Sequence, residues 1–220
     1  MNQPPQATLQ VFSAGRNVVI KPGTELTGAH RMAFGDDVFI GRDSQIMLGA
    51  ERAEPGPQIV FGRGTSINRR ALIVAVNEIV FGEYVLTAPG IYVADASHEY
   101  RHAGVPVTMQ GLEPSTGRVE IGDHAWLGIH VAVVGNISIG RGSVIGANAV
   151  VNRSIPAYCL AVGQPARVVR AYDDRAGAWV KVGSDDHLAD ILADGRTQPI
   201  VVRTLAPAVP IYAGPTVTIS

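Results

Sequence analysis

From Ile121 onward the apolar positions recur at every sixth residue: Ile121, Leu127, Val133, Ile139, Ile145 and Val151. Glycine follows four of them, at Gly122, Gly128, Gly140 and Gly146, and the fifth position is always small or β-branched: Ala125, Val131, Ile137, Ser143, Ala149 and Ile155. A period of six fits neither an α-helix of about 3.6 residues per turn nor the two-residue alternation of a half-buried strand. It predicts short strands separated by regular turns, the pattern of a parallel β-helix whose stacked coils bury one continuous apolar column.

Read backward, the same rule finds further coils of three hexapeptides, each opening on an apolar or small residue followed by glycine. The openings are Ala14-Gly15, Phe34-Gly35, Phe61-Gly62, Phe81-Gly82, Ile121-Gly122 and Ile139-Gly140. This frame predicts six coils with inward residues at 14, 20, 26; 34, 40, 46; 61, 67, 73; 81, 87, 93; 121, 127, 133; and 139, 145, 151. Every interruption falls after a third hexapeptide, including the long ones at 47–60 and 98–118. All insertions are therefore expected to leave from one corner of a triangular prism.

Composition agrees with one turn-dense β domain: 220 residues, 25 glycines, 14 prolines, 46% hydrophobic and only 17% charged. The net charge of −1 argues against a nucleic-acid partner. The start of the chain lacks the cationic and apolar regions of a signal peptide, and no stretch reaches membrane-spanning length. One cysteine, Cys159, cannot form an internal disulfide, which fits a cytoplasmic setting. The expected divisions are an N-terminal arm over 1–13, the β-helix over 14–167 with its inserted loop 98–118, and a C-terminal region over 168–220. In that last region Val168–Tyr172 and Ala178–Val182 read as a hairpin over the end of the stack. A short helix follows, with Ser184 as N-cap, Leu188, Ile191 and Leu192 as its apolar stripe and Gly195 as its stop.

A solenoid says nothing about chemistry by itself. Of the six histidines, His98 stands where the fourth coil gives way to the longest insertion, held by rigid coil on one side and covered by loop on the other. An imidazole there can act as a general base at neutral pH. His124 and His130 are six apart, hence on successive faces and unable to share a metal ion, and His98 with His102 lacks the ligand count of a structural zinc site. No metal is expected. Cys159, between Tyr158 and Leu160, reads as packing.

Three stretches carry a resemblance: Phe81-Gly-Glu-Tyr-Val-Leu-Thr-Ala-Pro-Gly leading to His98, Ile121-Gly-Asp-His-Ala-Trp-Leu-Gly, and the closing run from Val150 through Gln164-Pro-Ala-Arg-Val-Val-Arg. With them the span from Phe34 to Arg170 resembles the hexapeptide-repeat acyltransferases, in particular the sugar O-acetyltransferases related to maltose, galactoside and nodulation-factor enzymes. The resemblance implies a left-handed parallel β-helix, a homotrimer, and acetyl-CoA as acyl donor lying between subunits. It implies that His98 is the catalytic base, that Ile129, Ala147, Asn152, Arg153, Arg167 and Arg170 line the CoA groove, and that Trp126 adjoins it. Asn68 matches a sugar-contacting asparagine. The acidic residue found eight positions later in the galactoside-type enzymes is here Val76, followed by Asn77, and Ile129 replaces their serine. The loop from Tyr100 to Gly111 is closer to the acetyltransferases of polysaccharide assembly, which suits a larger acceptor. Asp95, just before His98, is placed with the acceptor site or behind the imidazole, a role a backbone carbonyl could equally fill.

The expected activity is thus acetyl-CoA-dependent O-acetylation of a sugar or glycan precursor, without nucleic acid or membrane span. The rival readings are an amino-sugar or xenobiotic acceptor, and a catalytically silent scaffold.

Overall fold

The computed structural model describes residues 10–113 and 117–193, together with the backbone of Val217–Thr218. The chain passes in rotation through three parallel sheets. Face one holds Ser13–Ala14, Met32–Phe34, Ile59–Phe61, Ile79–Phe81, Val119–Ile121 and Ile137–Ile139. Face two begins with Val19–Ile20, Phe39–Ile40, Ser66–Ile67, Leu86–Thr87, Trp126–Leu127 and Val144–Ile145. Face three holds Glu25–Thr27, Gln45–Leu48, Leu72–Ala75, Tyr92–Ala94, Ala132–Val134 and Val150–Val151.

In-register pairing puts equivalent positions on top of one another, as Phe34↔Phe61↔Phe81↔Ile121↔Ile139 shows. The rings of Phe34, Phe61 and Phe81 stack with centroids 5.2 Å apart and planes 17° from parallel. Ile40, Ile67, Leu127 and Ile145 fill the second column and Ile46, Ile73, Val93, Val133 and Val151 the third, all buried. At the first coil the frame is looser than expected: Ala14 is exposed and Leu26 half-buried, because the described stack ends there. Buried hydroxyls at the fifth position are satisfied by corner carbonyls. Ser44 donates to Gly41 O (2.9 Å), Thr65 to Gly82 O (2.7 Å) and Ser143 to Pro156 O (2.7 Å).

Two of the three corners are tight turns of one design. At the corner from face one to face two, and again from two to three, the fourth residue of each hexapeptide has positive φ, from Asn17 and Gly23 to Asn148 and Tyr158. His124 (φ 60°) and His130 (φ 55°) are such turn residues, a backbone role to which histidine, like asparagine and aspartate, is suited. The glycine after the inward residue serves close stacking: a Cβ on Gly62 would lie 2.4 Å from Gly82 O. The third corner, from face three back to face one, has no fixed turn, and both long loops leave there, between Gln45–Leu48 and Ile59–Phe61 and between Tyr92–Ala94 and Val119–Ile121.

After Val151 the chain continues round two further sides, which the repeat frame overlooked because Pro156 stands where glycine is the rule. Ile155 bridges to Ile139, and Cys159–Val162 pairs in parallel with Val144–Ile145, burying Cys159 completely. Arg167–Asp173 and Ala178–Lys181 then extend face two as antiparallel strands. The helix Asp185–Ala193 starts where Ser184 Oγ accepts the His187 N–H (3.1 Å), and it buries Ile191. Gly195 lies outside the described residues, as does most of the tail. Val217–Thr218 pairs antiparallel with Val19–Ile20 at the other end of face two. No helix among the described residues is long and apolar enough to cross a membrane.

Removing one ring from the phenylalanine ladder should open a cavity that the rigid coils cannot close. Phe61→Ala is expected to cost about 3–5 kcal/mol in denaturant unfolding. A loss below about 1 kcal/mol would mean that the column does not carry the fold.

Candidate active site

The third corner positions His98. Asp95, at the end of the face-three strand and only 1% exposed, accepts three backbone N–H bonds from the coil before: Val76 on Oδ1 (2.8 Å), Asn77 and Glu78 on Oδ2 (2.7 and 2.6 Å). Burial pushes its carboxyl above the usual range, against the opposing pull of the three amides. Asp95 was expected at the substrate or behind the imidazole, but both its oxygens are spent inside the fold on closing this turn. It pins the chain three residues before His98.

His98 itself is exposed, and it forms an antiparallel bridge with Leu112. Its Nδ1 lies 3.4 Å from Gly111 O, which also accepts the Glu99 N–H (3.0 Å), while Glu113 N donates to Ser97 O (2.8 Å). The group facing the imidazole is therefore a backbone carbonyl. Nothing in the sequence singled out Gly111 beyond its place after Gln110, as a residue free to take the positive φ of 79° seen there.

Two side chains hold the loop in shape. Glu99 accepts the Tyr100 and Arg101 amides (both 2.9 Å) and clasps the Arg101 guanidinium, whose hydrogen bonds lower the Glu99 carboxyl to about 2. Gln110 spans the loop, donating to His102 O (3.2 Å) and Val105 O (2.7 Å) and accepting the His102 N–H (3.1 Å). Around this frame Tyr100, Val105, Val107 and Met109 point outward, exposed by 67, 43, 45 and 76%.

The other candidates fall on three parts of the fold. Asn68, Ile129 and Ala147 share the second corner, the leading edge of face three, with the Asn148 N–H bonded to Ile129 O (2.8 Å). The coils touch closely there: a Cβ on Gly128 would sit 2.7 Å from Ala147 N, so a slender ligand could approach the backbone. Asn68 receives its own fixing, its amide donating to Thr87 Oγ1 (3.0 Å) and its Oδ1 accepting the Arg69 N–H (2.8 Å). Asn152 and Arg153 lie with His98 at the trailing edge of face three, two coils further on. Trp126 points out from face two, 48% exposed beside Leu86 at 50%. Arg167 and Arg170 lie on the added antiparallel strand, where Arg167 Nη1 donates to Ala166 O (2.8 Å). The Arg153 and Arg170 guanidiniums make no ion pair among the described residues.

Residues 118–153 match the family model of the bacterial transferase hexapeptide (six repeats). A Mycobacterium tuberculosis protein named as a probable acetyltransferase is 34% identical over 181 residues, 82% of this chain and 56% of its own. An Escherichia coli protein named as a candidate lipopolysaccharide biosynthesis O-acetyl transferase is 32% identical over 130 residues, 56% of this chain and 65% of its own. A galactoside acetyltransferase solved in complex with coenzyme A has a similar structure, with TM-score 0.54 and 26% identity over 78% of this chain and 72% of that one. The chain spans 56 to 65% of the length of these two curated relatives. Fold and repeat together define a hexapeptide-repeat solenoid. The chain is thus similar to proteins named as acetyltransferases and to a solved galactoside acetyltransferase.

The Glu99 clasp gives the loop a pH dependence of known sign. A carboxyl lowered in the folded state adds stability above its ordinary titration range and loses it as pH falls toward the depressed value. Amide exchange over Tyr100–Leu112 should therefore quicken as pH drops from about 4.5 toward 2, after correction for intrinsic rates. Glu99→Gln should remove that dependence. A loop equally protected in both proteins at both ends of the range would show that the clasp does not hold it.

Proposed function

We propose that the protein is an acetyl-CoA-dependent O-acetyltransferase acting on a sugar or glycan-precursor hydroxyl, with His98 as general base, and that it works as a homotrimer. The fold proposed for it is a left-handed β-helix of six coils over 14–167, preceded by an arm (1–13) and followed by hairpin, helix and tail (168–220). A cytoplasmic setting fits its single buried cysteine and its acyl donor.

The observation that supports this reading best is how the candidate residues are divided. Asn68, Ile129 and Ala147 occupy the leading edge of face three, His98, Asn152 and Arg153 its trailing edge, and a strand of roughly 10 Å separates them on one protomer. Setting the leading edge of one chain against the trailing edge of the next unites them, and a head-to-tail contact repeated by a rotation of about 120° closes into a ring of three chains. The exposed Leu86 and Trp126 on face two and Tyr92 on face three supply apolar surface for it.

Acetyl-CoA supplies the activated thioester. The small residues at Gly128 and Ala147 leave room for its pantetheine, and the guanidiniums of Arg153 and Arg170, without an ion pair among the described residues, suit its phosphates together with Arg167 through charge-assisted hydrogen bonds. With Nδ1–H directed at Gly111 O, the Nε2 lone pair of His98 is free to take the proton from the acceptor hydroxyl as that oxygen attacks the thioester carbonyl. The same proton can then pass to the departing thiolate. The name of the lipopolysaccharide relative and the long loop support a glycan-sized acceptor.

His98→Ala should lower turnover by roughly 10²–10⁴-fold, leaving CoA binding and the trimeric mass by light scattering intact. Retained turnover at saturating acceptor would sink the mechanism. Thermal stabilisation by CoA separates the enzyme from a silent scaffold, which has no reason to bind it.

A further inference from the structure

Four arginines at the first and third corners are paired with acids, whereas Arg153 at the third and those of the second corner are not. At the first corner Arg16 pairs with Asp36 (2.9 Å) and Arg63 with Glu83 (2.7 Å). At the third, Arg52 and Arg118 both reach Glu78 (3.6 and 3.4 Å), and Arg118 also meets Glu120. The second corner is different. Arg42, Arg69 and Arg70 are all exposed there, and none of their guanidiniums has a hydrogen bond or ion pair among the described residues. The acid beside them, Asp43, has its Oδ1 turned toward the coil below, where a Cβ on Gly23 would lie 2.2 Å away.

These three residues form one site by the stacking of the coils. The Arg70 N–H donates to Arg42 O (3.0 Å), and a Cβ on Gly41 would lie 2.4 Å from Arg69 N. Asn68, the candidate sugar contact, is bonded directly to the Arg69 amide (2.8 Å). Down this corner from the C-terminal end come Ala147, then Ile129, then the coil of Gly90, then Asn68 to Arg70, and finally Arg42. The donor-lining residues lie above, Arg69 and Arg70 share the coil of Asn68, and Arg42 lies on the coil below, away from Ile129. An oxyanion can meet each guanidinium through paired N–H donors, and uncompensated arginines in one place favour such a ligand.

We propose that Arg42, Arg69 and Arg70 form an oxyanion subsite for the acceptor, so that the acceptor is an acidic sugar unit bearing a phosphate or a carboxylate. This rests on the transferase reading for its link to turnover, and on the arginine cluster alone for binding.

The test uses the intact protein and three matched probes: galactose, galactose 6-phosphate and galacturonate. Calorimetry without acetyl-CoA should show at least one charged sugar binding about tenfold or more tighter than galactose, and the tighter of the two identifies phosphate or carboxylate as the group taken. The variant R42Q/R69Q/R70Q should bring the charged and neutral sugars together, whereas Arg16→Gln, at another corner, should leave the contrast in place. CoA affinity should be the same in the triple variant. Equal binding of charged and neutral sugars, or no heat from any of them, overturns the subsite. So does a triple variant that loses CoA affinity instead, because the arginines would then serve the donor. The binding contrast without transfer of acetyl to any acceptor would overturn the transferase reading and leave the oxyanion subsite standing.

Discussion

The register of coil on coil is the constraint from which the rest of this structure follows. Each face is a parallel ladder with strands about 4.8 Å apart, and at two corners the backbones themselves come into contact, so that a methyl group on Gly62 or Gly128 has nowhere to go. Spacing this tight permits no drift between coils. Like residues must lie over like, and the phenylalanine ladder at 5.2 Å follows directly. It also draws surface residues into straight columns, which is how residues as distant in sequence as Asn68 and Ala147 come to share one edge.

The third corner escapes this constraint and carries the loops. Freed from a fixed turn, its amides and carbonyls still require partners, and buried polar side chains supply them. Gln58, fully buried, donates to Ala50 O and Val76 O (both 3.0 Å) and accepts from Arg31 Nε and Arg52 N (both 3.1 Å), tying the loop before it to two coils. Asp95 does the same one coil on. The long loop is then held by Glu99 and Gln110, so the segment carrying His98 is anchored at its root and braced across its span.

The six-residue period made most of the core legible, because the coil-opening inward residue is marked by the glycine that follows it and the others recur every sixth position from there. It failed where that cue changed: Pro156 hid the two sides after Val151, and the first coil's Ala14 and Leu26 fit the period without being buried. The candidate site was legible only in part. His98, Asn68 and the arginines could be placed on the fold from sequence, but the use of Asp95 could not, since a carboxylate that accepts three amides from a neighbouring coil leaves no local pattern. The role of Gly111 was hidden for the same reason. Its carbonyl meets His98 only because the loop folds back through thirteen residues.

A carbonyl opposite the imidazole, in place of the carboxylate that sequence proximity offered, changes the chemistry expected of His98. A carboxylate there would hold a proton on the ring by stabilising imidazolium, which helps a base that keeps its proton through a slow step. A carbonyl accepts Nδ1–H and so fixes the tautomer and ring plane, but it adds no full negative charge. The proposed acyl transfer from a thioester needs the proton for a short time only: it leaves the hydroxyl as the oxygen attacks and is wanted again by the thiolate that departs. By committing Asp95 to the fold and leaving Gly111 to face the ring, the structure separates holding His98 in place from charging it, which suits the proposed role of His98 as a base that must return its proton.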